Sequence, residues 1–233
     1  MKRSEVRVAI HQPNFMPWLG FFNKIANVDI FVYLDDAQMP KKSSWLNRSL
    51  LLANSKKVWA TIPIKSYHGM LRINEIEYSS SINWRERHSN LLYGAYSTHP
   101  YFPLVADILQ KSLQFKEVKL ELINKNIIEN LLDMVDLNKP EFISSTSLNV
   151  TSSGTERLCE LIRSAGGTTY YCGGGSKGYL KEETFSSYGL SLKYQNFKVK
   201  EYPQRKSKEF VPGLSIVDLV MNCGLQNASK YIV

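Results

Sequence analysis

Several patterns that identify common classes of enzyme and metal site are missing from this chain of 233 residues. Its three cysteines are widely spaced and form no Cys-x-x-Cys pair, so neither a structural zinc site nor a dithiol redox motif is expected. The first strand-to-helix turn lacks both the glycine fingerprint of dinucleotide folds and the P-loop pattern, which argues against a dinucleotide-dependent oxidoreductase. Neither a serine-hydrolase elbow nor a His-Glu-x-x-His helix is predicted.

Long apolar runs are also missing. No segment reaches the roughly 20 apolar residues of a membrane-spanning helix. The start of the chain, MKRSEVRVAI, has too short an apolar run for a signal peptide. Together with an odd number of unpaired cysteines, these absences predict a cytoplasmic protein without a transmembrane segment.

Acidic residues are fewer than basic ones. The chain has 29 Lys and Arg against 21 Asp and Glu, a formal net charge of +8. Such an excess suits phosphorylated small molecules, anionic membrane surfaces and nucleic acids. The basic residues are scattered, with short clusters at 41–42, 56–57 and 205–208. A nucleic-acid-binding protein is therefore kept only as an alternative, and neither DNA nor RNA is the expected partner.

The alternation of apolar strands and helices predicts an α/β fold with a Rossmann-like mixed sheet flanked by helices. The segments read as strands of this sheet are VAI, DIFVYL, EFISSTSL, TTYYC and LSLKYQNF. SLLLA and VWATIPI flank the turn pair Asn54-Ser55 and predict a β-hairpin inserted after the second strand. The alternating segment INEIEYS predicts a further half-exposed strand.

Helices are expected over about 84–96, with Asn83 as the N-cap, and over about 118–137. A weak boundary between two halves of the chain is predicted near residue 137. Because the N-terminal half (about 1–137) and the C-terminal half (about 138–233) both alternate strands and helices, we predict a single domain over 1–233.

Polar residues follow the first two strands of the predicted sheet. His11 and Gln12 come directly after VAI, and Asp35 and Asp36 end DIFVYL. Ligands of open α/β sheets bind at the carboxyl ends of the strands, so this edge is the first candidate site. His11 is interpreted either as a general base or as a hydrogen-bonded core histidine. One aspartate is expected to serve the site and the other to cap a turn, with Asp35 favoured for the site.

Further candidates are cations and hydrogen-bond donors in the predicted helices and loops. Lys24 lies in the first helix, and Asn47 with Arg48 precedes the hairpin, where the pair could hold a phosphate or carboxylate. The glycine run 173–178 contains Lys177 and is interpreted as an anion-binding nest or a flexible loop. Asp218 either completes a capping box with Ser215 or faces a cleft.

The opening stretch resembles the signature of a known family. His11 to Gly20 reads HQPNFMPWLG and is followed by Lys24-Ile25 and DIFVYLD, which is similar to the start of the WbqC-like proteins. Blocks around Asn47-Arg48, Tyr171 to Tyr179 and Phe210 to Gly224 are similar as well, so the resemblance spans nearly the whole chain. The resemblance implies an association with bacterial surface-polysaccharide gene sets, beside enzymes that make nucleotide-linked amino sugars. That context implies a cytoplasmic step in O-antigen, lipopolysaccharide or capsule biosynthesis.

Residues and resemblance together predict a transferase that acts on a nucleotide-linked amino sugar, by N-acyl or aminoacyl transfer to the sugar amine. His11 is predicted as the base and Asp35 as its orienting partner. The predicted substrate-binding residues are Gln12, Trp18, Lys24, Lys42, Asn47, Arg48, Lys177, Tyr179 and Asp218. No metal is predicted, and the candidate co-substrate is an acyl or aminoacyl thioester. A non-catalytic binding or scaffold protein of the same pathway stays open as an alternative, beside the nucleic-acid-binding protein named above. Assembly as a homo-oligomer is left open as well.

Overall fold

A computed structural model describes residues 4–40, 44–176, 178, 180–205 and 207–233. In chain order, the elements are β1 Arg7–His11, α1 Leu19–Ala26, β2 Ile30–Tyr33, β3 Arg48–Ala53, β4 Lys56–Thr61, α2 Trp84–Tyr96, α3 Phe102–Leu113, α4 Leu120–Met134, β5 Glu141–Ser144, α5 Gly154–Ser164, β6 Thr169–Cys172, α6 Glu182–Ser187, β7 Ser191–Tyr194, α7 Ile216–Cys223 and α8 Leu225–Ile232. They form two compact units. Unit 1 comprises 1–12, 23–36 and 138–198, and unit 2 comprises 13–22, 37–137 and 199–233.

Unit 1 is built on a five-stranded sheet in the order β5-β2-β1-β6-β7. All four neighbouring pairs are parallel, so the sheet is more uniform than the mixed sheet that the sequence predicts. Parallel neighbours need crossover connections, and α5 and α6 connect β5 to β6 and β6 to β7. The α/β class and the Rossmann-like sheet flanked by helices are thereby confirmed.

One face of this sheet packs against α5 and α6. The buried side chains of this cluster are Val8, Ile10, Ile30, Val32, Cys159, Leu161, Ile162, Tyr170, Cys172, Phe185 and Leu190. On β1, Val8 and Ile10 alternate with Ala9, as expected for a strand that is buried on both faces. The Tyr170 ring stacks on Phe185 of α6, with centroids 5.6 Å apart.

Gly167, between α5 and β6, sits where a side chain does not fit. A Cβ there would lie 2.3 Å from Val8 Cγ2 and 2.9 Å from Ile162 Cγ2, both in the buried cluster. Gly167→Ala is therefore expected to destabilise the protein by about 1–3 kcal/mol through overpacking, as measured by urea unfolding. The same change at Gly94, an exposed helix position with nothing within 4 Å, should instead stabilise by about 0.5–1 kcal/mol. Equal effects at the two positions would contradict this account of the β1–α5 packing.

Unit 2 contains the predicted hairpin, which β3 and β4 form as an antiparallel pair. Asn54 and Ser55 both have positive φ, 49° and 62°, as a two-residue hairpin turn of type I′ requires. The predicted helix with Asn83 as N-cap is confirmed as α2, since the Asn83 side chain accepts a hydrogen bond from the Glu86 N–H. The predicted helix over about 118–137 is confirmed as α4.

The strand predicted at residues 73–79 is wrong. Residues Ile73–Glu75 form a short 3-10 helix, and the Glu75 carboxylate accepts a hydrogen bond from the Arg72 N–H. Only isolated bridges follow, at Glu77 and Tyr78. This local side-chain capping outweighs the alternating pattern. Among the described residues, no helix is long and apolar enough to cross a membrane.

Candidate functional site

In the sheet of unit 1, the strands that follow β1 are added first on one side of it and then on the other. From β1 the chain proceeds to β2 and β5 on one side, and then to β6 and β7 on the other. Such a reversal opens a crevice at the carboxyl ends of the two diverging strands, where α/β proteins bind ligands. The residues at this point are His11 at the end of β1 with Gln12 after it, and Cys172 at the end of β6 with Gly173 after it. The sequence-predicted histidine thus lies at the topological switch point.

The His11 ring is half-buried and neutral. Its Nδ1 lies 2.9 Å from the Gln12 carbonyl oxygen, and because a carbonyl can only accept, Nδ1 carries the proton and Nε2 the lone pair. Burial and the neighbouring Lys24 ammonium lower the pKa of His11 from 6.5 to about 3. The imidazole therefore stays unprotonated at neutral pH.

Lys24, on the last turn of α1, is a second ionisable group at this edge. Its side chain is 7% exposed, and burial lowers its pKa from 10.5 to about 8. Nζ lies 3.3 Å from the position that a Cβ on Gly173 would take, so the ammonium faces the end of β6. Among the described residues, the Lys24 side chain forms no hydrogen bond and no ion pair. A buried amine that lacks a carboxylate is uncommon, because desolvation disfavours its charge.

Two residues hold this arrangement in place. The Gln195 N–H donates to the Cys172 carbonyl at 2.8 Å, and Gln195 Nε2 donates to Asn23 Oδ1 at 2.7 Å. The first bond fixes the segment after β7 against the end of β6. The second ties that segment to α1, one residue before Lys24. The position of the Lys24 amine is thus set by three elements of the same unit.

The glycine run after β6, residues 173–178, matches two known glycine patterns. Gly173, Gly175 and Gly178 are spaced as in Gly-x-Gly-x-x-Gly, but after β6 instead of β1. Residues 174–178 also read Gly-Gly-Ser-Lys-Gly, which matches Gly-x-Ser-x-Gly. A serine-hydrolase elbow needs a helix directly behind the serine, whereas α6 begins at Glu182. The dinucleotide-binding turn also opens directly into a helix, so the glycine spacing alone does not define such a turn here, and what remains is a run of glycines at the switch point.

Asp35 and Asp36 are held on the β5 side of β2. Asp35 is 3% exposed, and its Oδ1 accepts hydrogen bonds from Ser145 Oγ and from the N–H and hydroxyl of Thr146, at 2.7–3.0 Å. Asp36 accepts from Ser145 Oγ and pairs with Arg157 at 2.6 Å. These contacts give both carboxylates a structural role at the end of β5. The assignment of Asp35 as orienting partner of His11 stays a prediction.

In unit 2, two predicted binding residues lie on an aromatic surface. The Trp18 ring is 5.4 Å from Trp45, which is 5.2 Å from Trp59, and the Arg48 guanidinium lies 4.1 Å above Trp59. Trp45 and Trp59 are 39% and 41% exposed. Asn47 donates to the Ile62 carbonyl at 2.9 Å. Sequence alone does not predict that these rings meet, because their contacts depend on the tertiary fold.

Asp218 is fully buried in unit 2. Its carboxylate accepts hydrogen bonds from the hydroxyls of Tyr202 and Tyr96, at 2.9 and 3.0 Å, and from Gln204 Nε2 at 3.3 Å. Burial raises the pKa of Asp218, and the three donors offset part of that rise. Ser215 is the N-cap of α7, since its hydroxyl accepts from the Val217 N–H. Asp218 thus joins segments of unit 2 around one carboxylate.

Three predicted binding residues, Lys42, Lys177 and Tyr179, lie outside the described residues. Within the described ranges, no group of three or more His, Cys, Asp or Glu is arranged to hold a metal ion. Of the predicted site residues, His11, Gln12 and Lys24 lie at the switch point, together with Cys172 and Gly173.

A family model and one relative each match almost the full length of the chain. The WbqC-like protein family matches residues 12–230. Protein Rv1507c of Mycobacterium tuberculosis is 29% identical over 226 residues, which cover 94% of this chain and 95% of that protein. No solved structure matches the chain.

Proposed function

The chain belongs to the WbqC-like protein family, and from this premise we propose that it transfers an acyl or aminoacyl group to the amine of a nucleotide-linked amino sugar in surface-polysaccharide biosynthesis. One observation carries the proposal. The switch point of the sheet presents a neutral imidazole, His11, beside a buried amine, Lys24. Ligands of this fold bind at such a point, and acyl transfer to an amine requires a proton acceptor there.

The reaction follows from the protonation states. The sugar amine attacks the acyl carbon of a thioester, a C–N bond forms, and the C–S bond breaks with the thiolate as leaving group. The nitrogen of the tetrahedral adduct carries a surplus proton, which is more acidic than that of a free ammonium because the neighbouring oxygen withdraws electrons. His11 accepts that proton at Nε2 and passes it to the leaving thiolate, so the imidazole ends neutral. Burial, and after it the repulsion from the neighbouring Lys24 ammonium, lowers the pKa of His11 and keeps the imidazole unprotonated before the reaction.

The proposal is tested with the purified protein, acyl and aminoacyl thioesters, and sugar nucleotides with and without a 4-amino group. Product formation is followed by mass spectrometry, and binding by thermal shift, because a ligand that binds only the folded state raises its stability. We expect transfer only to the amino sugar. His11→Ala should lower kcat by about 10²–10⁴-fold, the usual contribution of a general base.

His68→Ala is the matched control, since His68 is an exposed histidine of unit 2. Its kcat should equal that of the unmodified protein. Full turnover in His11→Ala would refute the assigned role of His11. Binding of an amino-sugar nucleotide without turnover, across the thioester panel, would favour a non-catalytic pathway protein instead.

A further inference from the structure

The amine of Lys24, which can carry positive charge, lies beside the neutral imidazole of His11 at the switch point. Burial first and the Lys24 ammonium second lower the pKa of this imidazole, so the two groups are close enough to interact. The Lys24 side chain makes no ion pair among the described residues. An amine held at 7% exposure loses most of its hydration. Without a functional reason, an apolar side chain of similar length would suit this position better.

The described groups that interact with Lys24 do not supply an anion. His11 approaches from β1, and Cys172 from β6. Burial raises the pKa of the Cys172 thiol, so the thiol is protonated at neutral pH. The negative charge of Glu182 on α6 adds to the rise in the pKa of Cys172. The Glu182 carboxylate accepts a hydrogen bond from the Tyr194 hydroxyl of β7 at 2.9 Å. Lys24 is thus a cation whose described neighbours are neutral or basic.

The chain segment facing Lys24 is one that a ligand can approach closely. Gly173 follows β6, and Gly174 and Gly175 are exposed. Glycines have no side chains, so an oxyanion can approach their backbone N–H groups closely, as in nests of successive backbone donors. A Cβ on Gly173 would lie 3.3 Å from Lys24 Nζ, which places the lysine amine next to this segment.

We propose that Lys24 and the glycine loop 173–175 bind a phosphate or diphosphate group of a ligand. Lys24 supplies the charge, and the loop supplies backbone donors on the opposite side. This inference deepens the proposed function, because a nucleotide sugar carries such a diphosphate. The phosphates of a coenzyme A thioester have the same chemistry, and the test separates these two sources.

The test measures binding by isothermal titration calorimetry at pH 7.5 and pH 9.5, with uridine diphosphate, coenzyme A and inorganic pyrophosphate as probes. We expect at least one nucleotide probe to bind, with pyrophosphate following it more weakly. Lys24→Met should weaken that binding at pH 7.5 by about 10–100-fold, the usual effect of losing a hydrogen bond to a charged group. Lys198→Met is the control, because Lys198 is an exposed lysine of the same unit, and it should bind as the unmodified protein does.

The pH dependence identifies Lys24 as the cation. The pKa of Lys24 is about 8, so the amine loses its proton between the two pH values and binding should weaken by about tenfold or more. In Lys24→Met this pH dependence should disappear, and in Lys24→Arg binding should persist at pH 9.5, because a guanidinium stays charged. Uridine, which has no phosphate, should not distinguish the variants.

Three outcomes would overturn the proposal. One is equal affinity of Lys24→Met and the unmodified protein for every phosphate probe. Another is the same pH dependence in both, and the third is no binding of any probe. None of these measurements needs turnover. A chain that binds phosphate through Lys24 but transfers no acyl group would refute the proposed function alone.

Discussion

Asp218→Ala is expected to destabilise unit 2 by about 4 kcal/mol. The substitution removes the acceptor of three hydrogen bonds and leaves the hydroxyls of Tyr96 and Tyr202, together with Gln204, without it. Each donor stranded in the interior costs about 1–3 kcal/mol. Replacement of a fully buried side chain also leaves a cavity. Asp218→Asn keeps one acceptor oxygen and removes the buried charge, so its effect should be much smaller.

Tryptophan fluorescence during urea unfolding measures this effect selectively. Trp18, Trp45, Trp59 and Trp84 all lie in the segments of unit 2. Asp107→Ala is the control, because Asp107 forms an exposed pair with Lys111 on α3, and its loss should cost less than about 0.5 kcal/mol. A fluorescence transition of Asp218→Ala that coincides with that of the control would contradict the structural role of this carboxylate.

In contrast to Asp218→Ala, Lys24→Met is expected to raise the free energy of unfolding, by about 3 kcal/mol at pH 7. The pKa of Lys24 is lowered from 10.5 to about 8, chiefly by burial. That difference is the free-energy cost of keeping the ammonium charged in the folded state, on the order of 3 kcal/mol. Methionine fills a similar volume and has no charge to desolvate.

The pH dependence of this stability difference tests whether the charge of Lys24 causes it. The unfolded chain binds more protons than the folded one between pH 8 and pH 10.5, so the contribution of Lys24 becomes more favourable as pH rises through this window. The advantage of Lys24→Met should therefore shrink to about 1 kcal/mol at pH 10. Circular dichroism during urea unfolding at both pH values measures it, with Lys198→Met as control. A constant difference between Lys24→Met and the unmodified protein would show that packing, and not charge, causes the effect.

The two predictions on Lys24 describe a trade-off. Methionine at this position is expected to stabilise the fold and to remove phosphate binding. Functional groups in clefts commonly destabilise the proteins that carry them, because a group prepared for a ligand is unsatisfied without it. A buried lysine without a described partner fits that pattern.

Local signals were sufficient to predict most elements of the fold. The apolar runs predicted the strands of the parallel sheet, and Asn54-Ser55 predicted the hairpin turn, because each depends on neighbours in sequence. The prediction of a strand at residues 73–79 was wrong because it, too, used only the local pattern. A short alternating pattern does not reveal that Glu75 caps its own backbone at Arg72.

The candidate site was predictable only in part. His11 was found because it follows a strand directly. The proximity of Lys24 to Gly173, by contrast, requires β6 to lie beside β1, and this strand order is not encoded in either segment alone. The same holds for Ser145 and Thr146, which bond to Asp35 from more than a hundred residues away.

The strand order also determines when the sheet of unit 1 can form during synthesis on the ribosome. β1 and β2 leave the ribosome early, but β5 begins at Glu141 and β6 at Thr169. The Val6–Thr168 hydrogen bond spans 162 residues. Such a high contact order slows folding, because a long loop must close before the contacts that stabilise it are made. Until then β1 and β2 expose strand edges that can pair wrongly, so the nascent chain is most prone to aggregation while residues 37–137 are being made.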